Sequence, residues 1–377
     1  MLVLSTADLQ RAVTMPEALD AVADAFAQLS SGRAAVPQRP HVAVPEHDGL
    51  LLVMPAYLAG GSSPPSPLSL RGEGEAEATR VSPLHLSGEG EAESVGASGG
   101  RPLATSGGHP ALGVKALTLF ERNPAERGIP AIAALVVLYD TTDGRPLALM
   151  DGGWLTALRT GAASGVATRL LAREDVRTLA VFGAGAQAPE QVAAVCAARP
   201  ITCVWLVNRT RTHAEALAER LRAAGSPIPA DVRVADTAAH ALAEADVVCT
   251  ATAASEPIFA DADLRLGTHI NAIGSYTPRM REVPGVTVAR ARVVVDARVA
   301  AEAEAGDLLL ARAEGLIGPD HVAAELGEVV LGRAPGRTER DQITLFKSVG
   351  SAAQDVAVAQ LAYERARALG IGIEVAL

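Results

Sequence analysis

The sequence predicts an α/β protein that combines a doubly wound parallel sheet with a second domain of helix and antiparallel strands. Two observations lead to this prediction. From residue 154 onward, short apolar strands alternate with alanine-rich helices, which is typical of a parallel sheet covered by helices on both faces. Before residue 152, one helix is followed by several apolar stretches and a hairpin-type turn at 141–146, a pattern that favours antiparallel pairing.

The first helix is predicted from its own start and stop signals. Thr14 is a suitable N-cap, Pro16 is tolerated in a first helical turn, and Glu17 suits the positive end of the helix. The helix should end near Gly32. Its apolar face comprises Leu19, Val22, Ala23 and Phe26. Strands are then predicted at 39–45, 50–58, 113–120 and 131–140.

Residues 61–110 interrupt this domain with a segment rich in Ser, Gly, Pro and Glu. Within it, residues 66–78 and 82–94 are near copies of each other, but two copies are too few for a repeat that buries a core. We interpret the segment as a disordered surface insertion. Such an insertion costs little, because loop-closure entropy grows only with the logarithm of length.

The second half of the chain begins with a helix whose apolar residues share one face. These residues are Leu155, Leu158, Ala162, Val166 and Leu170. The strands of the parallel sheet are predicted at 178–183, 203–208, 246–252, 269–274 and 292–297. A long amphipathic helix is predicted at 347–370, ending at a glycine.

Composition limits the class of protein. A chain of 377 residues with 49% apolar composition is long enough for two domains, and a net charge of −10 disfavours a nucleic-acid partner. Cys196, Cys203 and Cys249 are scattered, so we expect buried free thiols in a reducing compartment. The N-terminus lacks a basic leader pattern, and the longest apolar run, 129–139, is too short to cross a bilayer. A cytoplasmic protein without a membrane segment is expected.

No metal site is predicted. The eight histidines show neither HExxH spacing nor a cluster of ligands. His269 lies on an apolar strand, and we expect it to be a core side chain with satisfied hydrogen bonds rather than a base.

Residues 183–188 carry the strongest local signal, because they match the pattern G-x-G-x-x-A between a strand and a helix. In such a turn the first glycine allows the tight bend, and the second lets a pyrophosphate approach the backbone. The helix N-terminus then supplies free N–H groups. This Rossmann-type turn predicts a dinucleotide cofactor that is contacted by Gly183, Gly185, Ala186 and Gln187.

The end of the next strand predicts which dinucleotide is preferred. NAD-binding proteins usually place an Asp or Glu there for the ribose 2′-hydroxyl, but this chain has Asn208, Arg209, Thr210 and Arg211. Guanidinium groups suit a 2′-phosphate, so NADP(H) is the predicted cofactor and NAD(H) the alternative. Two further cofactor contacts are predicted at or just beyond strand ends, Thr252 and Ser275.

Over nearly its whole length outside 61–110, the chain resembles the ornithine cyclodeaminase/μ-crystallin family, and mostly its ketimine reductase-like branch. The resemblance rests on 53-VMPAY-57, 114-VKALTLF-120, 147-LALMDG-152, 158-LRTGAASGVAT-168, 181-VFGAGAQA-188, 207-VNRT-210, 267-GTHINAIGSYTPRMRE-282, 324-AELGEVVLG-332 and 345-LFKSVGSAAQD-355.

The resemblance implies a discontinuous substrate-binding and dimerisation domain, formed by residues 1–152 and a helical part at 322–377. The Rossmann NAD(P)-binding domain is then expected at 153–321, and the protein is expected to be a homodimer. The family's grip on the substrate carboxylate maps onto Arg39, Lys115 and Arg159. From the residues alone, each cation has another interpretation: a rim charge, a lysine reaching solvent, or an exposed arginine. Cations among apolar residues need a partner, and we expect a bound carboxylate to be that counter-ion.

Two positions depart from the cyclodeaminases that the family includes. Where those enzymes carry an aspartate beyond the fourth Rossmann strand, this chain has Tyr276, and a phenol is a poor base at neutral pH. Where they carry a glutamate before Met-Pro, this chain has Leu52. Both departures argue against deamination and cyclisation of ornithine.

The remaining inventory suits NAD(P)H-dependent reduction of a cyclic ketimine carboxylate, Δ1-pyrroline-2-carboxylate or Δ1-piperideine-2-carboxylate, to proline or pipecolate. Lys115 is the candidate that assists protonation of the imine, although it could equally be a carboxylate anchor. Three alternatives remain at this stage: reductive amination like that of alanine dehydrogenase, ornithine cyclodeamination, and non-catalytic binding of NADPH and a small acid.

Overall fold

The computed structural model describes residues 1–61 and 109–376, so most of the predicted insertion lies outside the described residues. The strands are β1 (Leu2–Leu4), β2 (Ala34–Ala35), β3 (His41–Val44), β4 (Gly49–Leu58), β5 (Ala111–Phe120), β6 (Ile132–Tyr139), β7 (Pro146–Asp151), β8 (Thr178–Phe182), β9 (Cys203–Val207), β10 (Val232–Val234), β11 (Val247–Thr250), β12 (His269–Ala272), β13 (Arg292–Val295), β14 (Val322–Glu325), β15 (Thr344–Lys347) and β16 (Ile373–Glu374).

The α-helices are α1 (Thr6–Ala12), α2 (Met15–Ser30), α3 (Asn123–Arg127), α4 (Gly152–Leu171), α5 (Ala188–Ala198), α6 (Arg211–Ala224), α7 (Ala238–Leu242), α8 (Gly285–Arg290), α9 (Arg298–Glu304), α10 (Gly306–Ala313), α11 (Leu326–Val330) and α12 (Ala352–Leu369). Helix α2 begins as predicted, because Thr14 and Glu17 form a capping box. In the part of the chain that the structure describes, no helix has both the length and the apolar character needed to cross a bilayer.

One eight-stranded sheet combines β1 to β7, from the first part of the chain, with β16 from its last residues, in the strand order β16-β1-β7-β6-β5-β4-β2 with β3 paired to β4. Its pairings are antiparallel except for β1 with β7, which confirms the predicted antiparallel sheet. Register places Lys115 of β5 between Met54 of β4 and Val136 of β6, so the three side chains share a face. On that face Gly113 lies against Val356, and α12 therefore covers the sheet beside Lys115.

The second sheet has eight strands in the order β10-β9-β8-β11-β12-β15-β13-β14, and all its pairings are parallel. Its first five strands follow the crossover pattern of a dinucleotide-binding fold. Apolar cores lie on both faces of this sheet, and its central strands β11, β12 and β15 are buried at every position. The predicted α/β fold with a doubly wound parallel sheet is confirmed.

Helix α4 joins the two sheets. Asp151 caps it by accepting a hydrogen bond from the backbone N–H of Trp154 at 2.9 Å. Nearly all of the helix is buried, between α2 and α12 on one side and α5 on the other. At Gly161 a Cβ atom would lie 2.5 Å from the carbonyl oxygen of Glu190, so only glycine permits this approach of α4 to α5. The close packing holds the glycine-rich turn against the first domain.

The C-terminal region differs from the prediction in two ways. Strands β14 and β15 belong to the parallel sheet, so the predicted return of 322–377 as a helical part of the substrate domain is wrong for these strands. The last helix begins at Ala352 rather than at 347. The physical reason is that residues 344–347 pair with β12 and β13 as a buried strand of the parallel sheet, and Gly350 then adopts a φ of +79°, which breaks a helix.

Candidate active site

The glycine-rich turn after β8 has the geometry that a pyrophosphate requires. Gly183 has a φ of +103°, and a Cβ atom there would lie 2.5 Å from the carbonyl oxygen of Ala251. Gly185 is exposed, and a Cβ atom there would meet no heavy atom within 4 Å. The side-chain oxygen of Gln187 is buried and has no hydrogen-bond partner among the described residues. This open turn at the start of α5 fits a dinucleotide.

The polar residues after β9 differ in their hydrogen-bond and ion-pair partners. The side-chain oxygen of Asn208 accepts a hydrogen bond from the N–H of Ala184 at 3.2 Å, which ties the two turns together. Arg211 is engaged by Glu215 at 2.7 Å and by Asp236. Arg209 is exposed and has no ion-pair partner within residues 1–61 and 109–376. Of the two arginines, Arg209 is therefore the one whose guanidinium is available to a ligand.

Thr252 and Ser275 lie beyond the ends of β11 and β12, as predicted, but their hydroxyls serve the protein. The carboxylate of Glu282 accepts hydrogen bonds from the N–H and hydroxyl of Thr252 at 2.6 and 2.7 Å. It also accepts from the hydroxyl of Thr250 and the N–H of Gly274. Ser275 donates its hydroxyl to a backbone carbonyl within its own loop. Burial raises the pKa of Glu282.

A buried ion pair lies at the same edge of the parallel sheet. The ammonium of Lys347 lies 3.1 Å from a carboxylate oxygen of Asp307, and neither side chain is exposed. Lys347 also donates to the carbonyl oxygens of Ala272 and Ser275. The other oxygen of Asp307 accepts hydrogen bonds from the N–H groups of Glu282 and Val283. These contacts hold the ends of β12 and β15 and the loop after β12 as one unit.

The structure brings Lys115 and Arg159 together around one carboxylate that the sequence analysis did not identify. Asp355, in the first turns of α12, lies 2.7 Å from Nζ of Lys115 and 3.0 Å from Nε of Arg159. Lys115 is 1% exposed and Asp355 is not exposed at all. At these distances the Asp355 carboxylate forms an ion pair with both cations. The expected counter-ion is therefore already supplied by the protein itself.

Arg39 approaches the same cluster from the segment before β3. It lies 3.1 Å from the carboxylate of Glu304, at the end of α9, and donates to the carbonyl oxygen of Gly350. A side chain at Gly350 would collide with the guanidinium of Arg159. Asp296 fixes this loop by accepting from the N–H of Gly350 at 2.7 Å and from two neighbouring donors. Arg39 and Glu304 remain partly exposed, so this side of the cluster faces solvent.

The electrostatics of Lys115 follow from this arrangement. Burial lowers its pKa from the ordinary value of 10.5 to about 8, and Asp355 opposes the shift by favouring the charged form. The positive charges of Arg159 and Arg39 lower the pKa of Lys115 further. All three predicted cations are thus within electrostatic reach of one another, and Lys115 can gain or lose a proton near neutral pH.

The two departures from the cyclodeaminases lie on β4 and in the loop after β12. Leu52 pairs with Leu117 on the face of the sheet that carries Lys115, so an alkyl group lies there. Tyr276 lies in the loop after β12 and is 41% exposed. The partial burial of its side chain raises the pKa of the phenol. His269 is wholly buried, its ring nitrogens lie 3.0 and 3.1 Å from Thr344 and Asn271, and burial lowers its pKa to about 3. His269 is therefore the neutral core side chain that was predicted.

Sequence reasoning missed the acidic members of the site. Asp355 and Glu304 come from segments remote in sequence from the cations that they contact, and Asp296 is likewise remote from the loop at Gly350 that it holds. One signal was available for Asp355, since a carboxylate in an alanine-rich helix is costly to bury without a partner. A second signal was the scarcity of lysine. Of 33 Lys and Arg residues, only Lys115 and Lys347 are lysines, and both are buried against aspartates.

The fold and this site define an oxidoreductase that uses a nicotinamide dinucleotide, because the glycine-rich turn follows β8 and the cations lie against Gly350 beyond β15, at the same carboxyl edge of the parallel sheet. The chain belongs to the ornithine cyclodeaminase/mu-crystallin family, whose model matches residues 102–370. This confirms the resemblance found in the sequence.

Three relatives illustrate the similarity. The chain is 43% identical over 264 residues to a Delta(1)-pyrroline-2-carboxylate reductase of Bacillus cereus, covering 70% of this chain and 79% of the relative. The structure of Thermococcus litoralis Delta(1)-pyrroline-2-carboxylate reductase with NADH and L-proline matches with a TM-score of 0.82 at 35% identity, covering 100% of both chains. An archaeal alanine dehydrogenase dimer with bound NAD matches with a TM-score of 0.80 at 29% identity, covering 100% of this chain and 99% of that one.

Proposed function

We propose that the protein reduces a cyclic ketimine carboxylate, Δ1-pyrroline-2-carboxylate or Δ1-piperideine-2-carboxylate, to the corresponding L-imino acid with NAD(P)H. The observation that carries the proposal is the convergence of Lys115, Arg159 and Arg39 next to the cofactor edge of the parallel sheet. Similarity to two pyrroline-2-carboxylate reductases, one of them in complex with NADH and L-proline, supports it.

The three cations provide the grip on the substrate carboxylate. Within the described chain they face two carboxylates, Asp355 and Glu304, so the cluster retains an excess positive charge for a bound monoanion. Arg39 is the partly exposed member, and we assign it first contact with the entering carboxylate. Arg159 is held rigidly by Asp355 and by the side-chain oxygen of Gln354 at 2.8 Å, so it orients the bound substrate.

When bound, the nicotinamide supplies a hydride to the imine carbon. Lys115 supplies the proton that the imine nitrogen needs, because an ammonium with a pKa of about 8 is charged at neutral pH and can still release its proton. At the two positions where the resemblance places a cyclodeaminase carboxylate, this chain has Leu52 and Tyr276, which supports reduction over cyclodeamination. One C–H and one N–H bond form, and the C=N double bond becomes single.

Substrate-panel kinetics test the proposed function. Purified protein should oxidise NADPH or NADH with Δ1-pyrroline-2-carboxylate or Δ1-piperideine-2-carboxylate far faster than with pyruvate plus ammonia, and should not consume ornithine. Faster turnover with pyruvate plus ammonia would assign alanine dehydrogenase activity instead. Tight cofactor binding without turnover of any imine or oxo-acid would mean a non-catalytic binding protein.

We also propose that the cofactor is preferentially NADP(H), with Arg209 contacting the 2′-phosphate. Arg209→Ala should raise the KM for NADPH about 10- to 100-fold, since a hydrogen bond to a charged group contributes about 1.5–3 kcal/mol, and should leave the KM for NADH nearly unchanged. Arg211→Ala is the matched control, because Glu215 and Asp236 already engage that guanidinium. Equal losses in both variants, or none in either, would remove Arg209 from the phosphate site.

A homodimer is proposed through the outer face of the antiparallel sheet. That face is opposite Lys115, and apolar side chains occupy it where a solvated face would carry polar ones: Val42, Leu51, Val53, Val114, Ala116 and Leu135. Leu135 is 52% exposed and Val42 is 60% exposed. The dimeric state of the archaeal alanine dehydrogenase supports a second copy as the partner. A solution mass equal to the 38.6 kDa of one chain would contradict this proposal.

A further inference from the structure

We propose that Asp355 is a positioning residue that holds the ammonium of Lys115 in place and keeps it charged until the substrate accepts its proton. This inference rests on the proposed function, because it assigns Asp355 a role in the same proton transfer. Asp355 acts through Lys115 and is not itself the proton donor.

The geometry makes Asp355 the link between three elements. Helix α12 carries the carboxylate, β5 carries Lys115, and α4 carries Arg159. The Ser351 side chain caps the start of α12, which fixes the helix and therefore the place of the carboxylate. One oxygen faces each cation, at 2.7 and 3.0 Å. A side chain with two oxygens in these directions sets both the reach of Lys115 and the orientation of Arg159.

The charges around Lys115 explain why a carboxylate is required there. Arg159 from α4 and Arg39 from the segment before β3 both face Lys115 as cations, and Glu304 lies against Arg39. Without Asp355, the buried ammonium would have only positive neighbours in direct reach. Its pKa would then fall below about 8, because a nearby opposite charge is what favours the charged form.

Burial determines which role Asp355 has. Its side chain has no exposed surface, so it has no direct route for exchanging protons with solvent. Nearly all other basic residues of the chain are arginines, so a lysine at position 115 indicates that this site needs a group that can release a proton. A guanidinium would pair with Asp355 as well, but it does not lose its proton in proteins. The pair at this position is therefore suited to holding a proton that can be given up.

The test is the pH dependence of kcat/KM for imine reduction in wild type, Asp355→Asn and Asp355→Glu. Wild-type activity should fall above about pH 8, because Lys115 is protonated below its pKa of about 8 and loses the proton above it. In Asp355→Asn this falling limb of the pH profile, the range in which kcat/KM decreases, should move to lower pH by at least about one unit. In Asp355→Glu the charge is kept, so the limb should stay close to that of wild type while kcat falls, because the longer side chain displaces the ammonium.

Glu364→Gln is the matched control, since it removes one negative charge from the exposed part of the same helix. It should leave the limb unchanged. A limb that stays in place in Asp355→Asn while activity merely drops would overturn the positioning role and leave only a structural one. If Asp355→Asn does not fold, an Asp355→Glu variant that keeps the kcat of the wild type would also overturn the positioning role. Absence of imine turnover in wild type would instead refute the proposed function.

Discussion

Lys115→Met is expected to lower kcat for imine reduction by roughly 10²–10⁴-fold, the range that a positioned general acid contributes. Methionine is a similarly long, unbranched side chain that can occupy the apolar surroundings between Met54 and Val136, so the loss would be chemical rather than structural. Asp355 keeps Arg159 as its partner in this variant. Steady-state kinetics with saturating imine and cofactor, together with cofactor titration by fluorescence, measure the effect.

Lys115→Arg separates the two roles left open for this residue. Arginine keeps the positive charge for a substrate carboxylate but does not release a proton at neutral pH. A low KM with a kcat as poor as that of Lys115→Met would support the role in protonation. Recovery of kcat in Lys115→Arg would instead make Lys115 a carboxylate anchor.

Lys347→Met is expected to lower the free energy of unfolding by about 3–5 kcal/mol, because it leaves the fully buried carboxylate of Asp307 without its charge partner. The variant also removes the donor to Ala272 and Ser275, so the loop after β12 loses an anchor. Urea unfolding followed by circular dichroism measures the change.

The double variant Lys347→Met/Asp307→Asn is the control for this prediction. If the unpaired charge causes the loss, the double variant should be more stable than Lys347→Met, since an amide is less costly to bury than a lone carboxylate. A loss below about 1 kcal/mol in Lys347→Met would show that the pair contributes no more than a surface ion pair.

Much of the fold could be predicted from the sequence because its signals are local. The capping box at Thr14 and Glu17, the alternation of strands with helices, and the glycine-rich turn at 183–188 each depend on residues close together in the chain. Boundaries were predicted less well where tertiary context overrides local pattern. Residues 347–351 continue an amphipathic pattern, yet Lys347 completes a buried strand and Gly350 turns the chain.

The site could be predicted only in part. Its cations were found by family resemblance, whereas their carboxylate partners were not. The same limit applies to Thr252 and Ser275, whose positions at strand ends were correct but whose hydroxyls are taken up by Glu282 and by a loop carbonyl. A side chain's available partners depend on what other elements bring beside it, and spacing along the chain does not contain that information.

The sequence by itself determined the class of fold, the place of the dinucleotide turn and the family, because neighbouring residues determine backbone conformation and apolar periodicity. Only the tertiary structure decided that Asp355 joins Lys115 to Arg159 and that β14 and β15 extend the parallel sheet. It also decided that the guanidinium of Arg209, rather than that of Arg211, is available to a ligand. The physical reason is that charge pairing and strand pairing act through space. Residues from distant parts of the chain meet only after the apolar faces have packed.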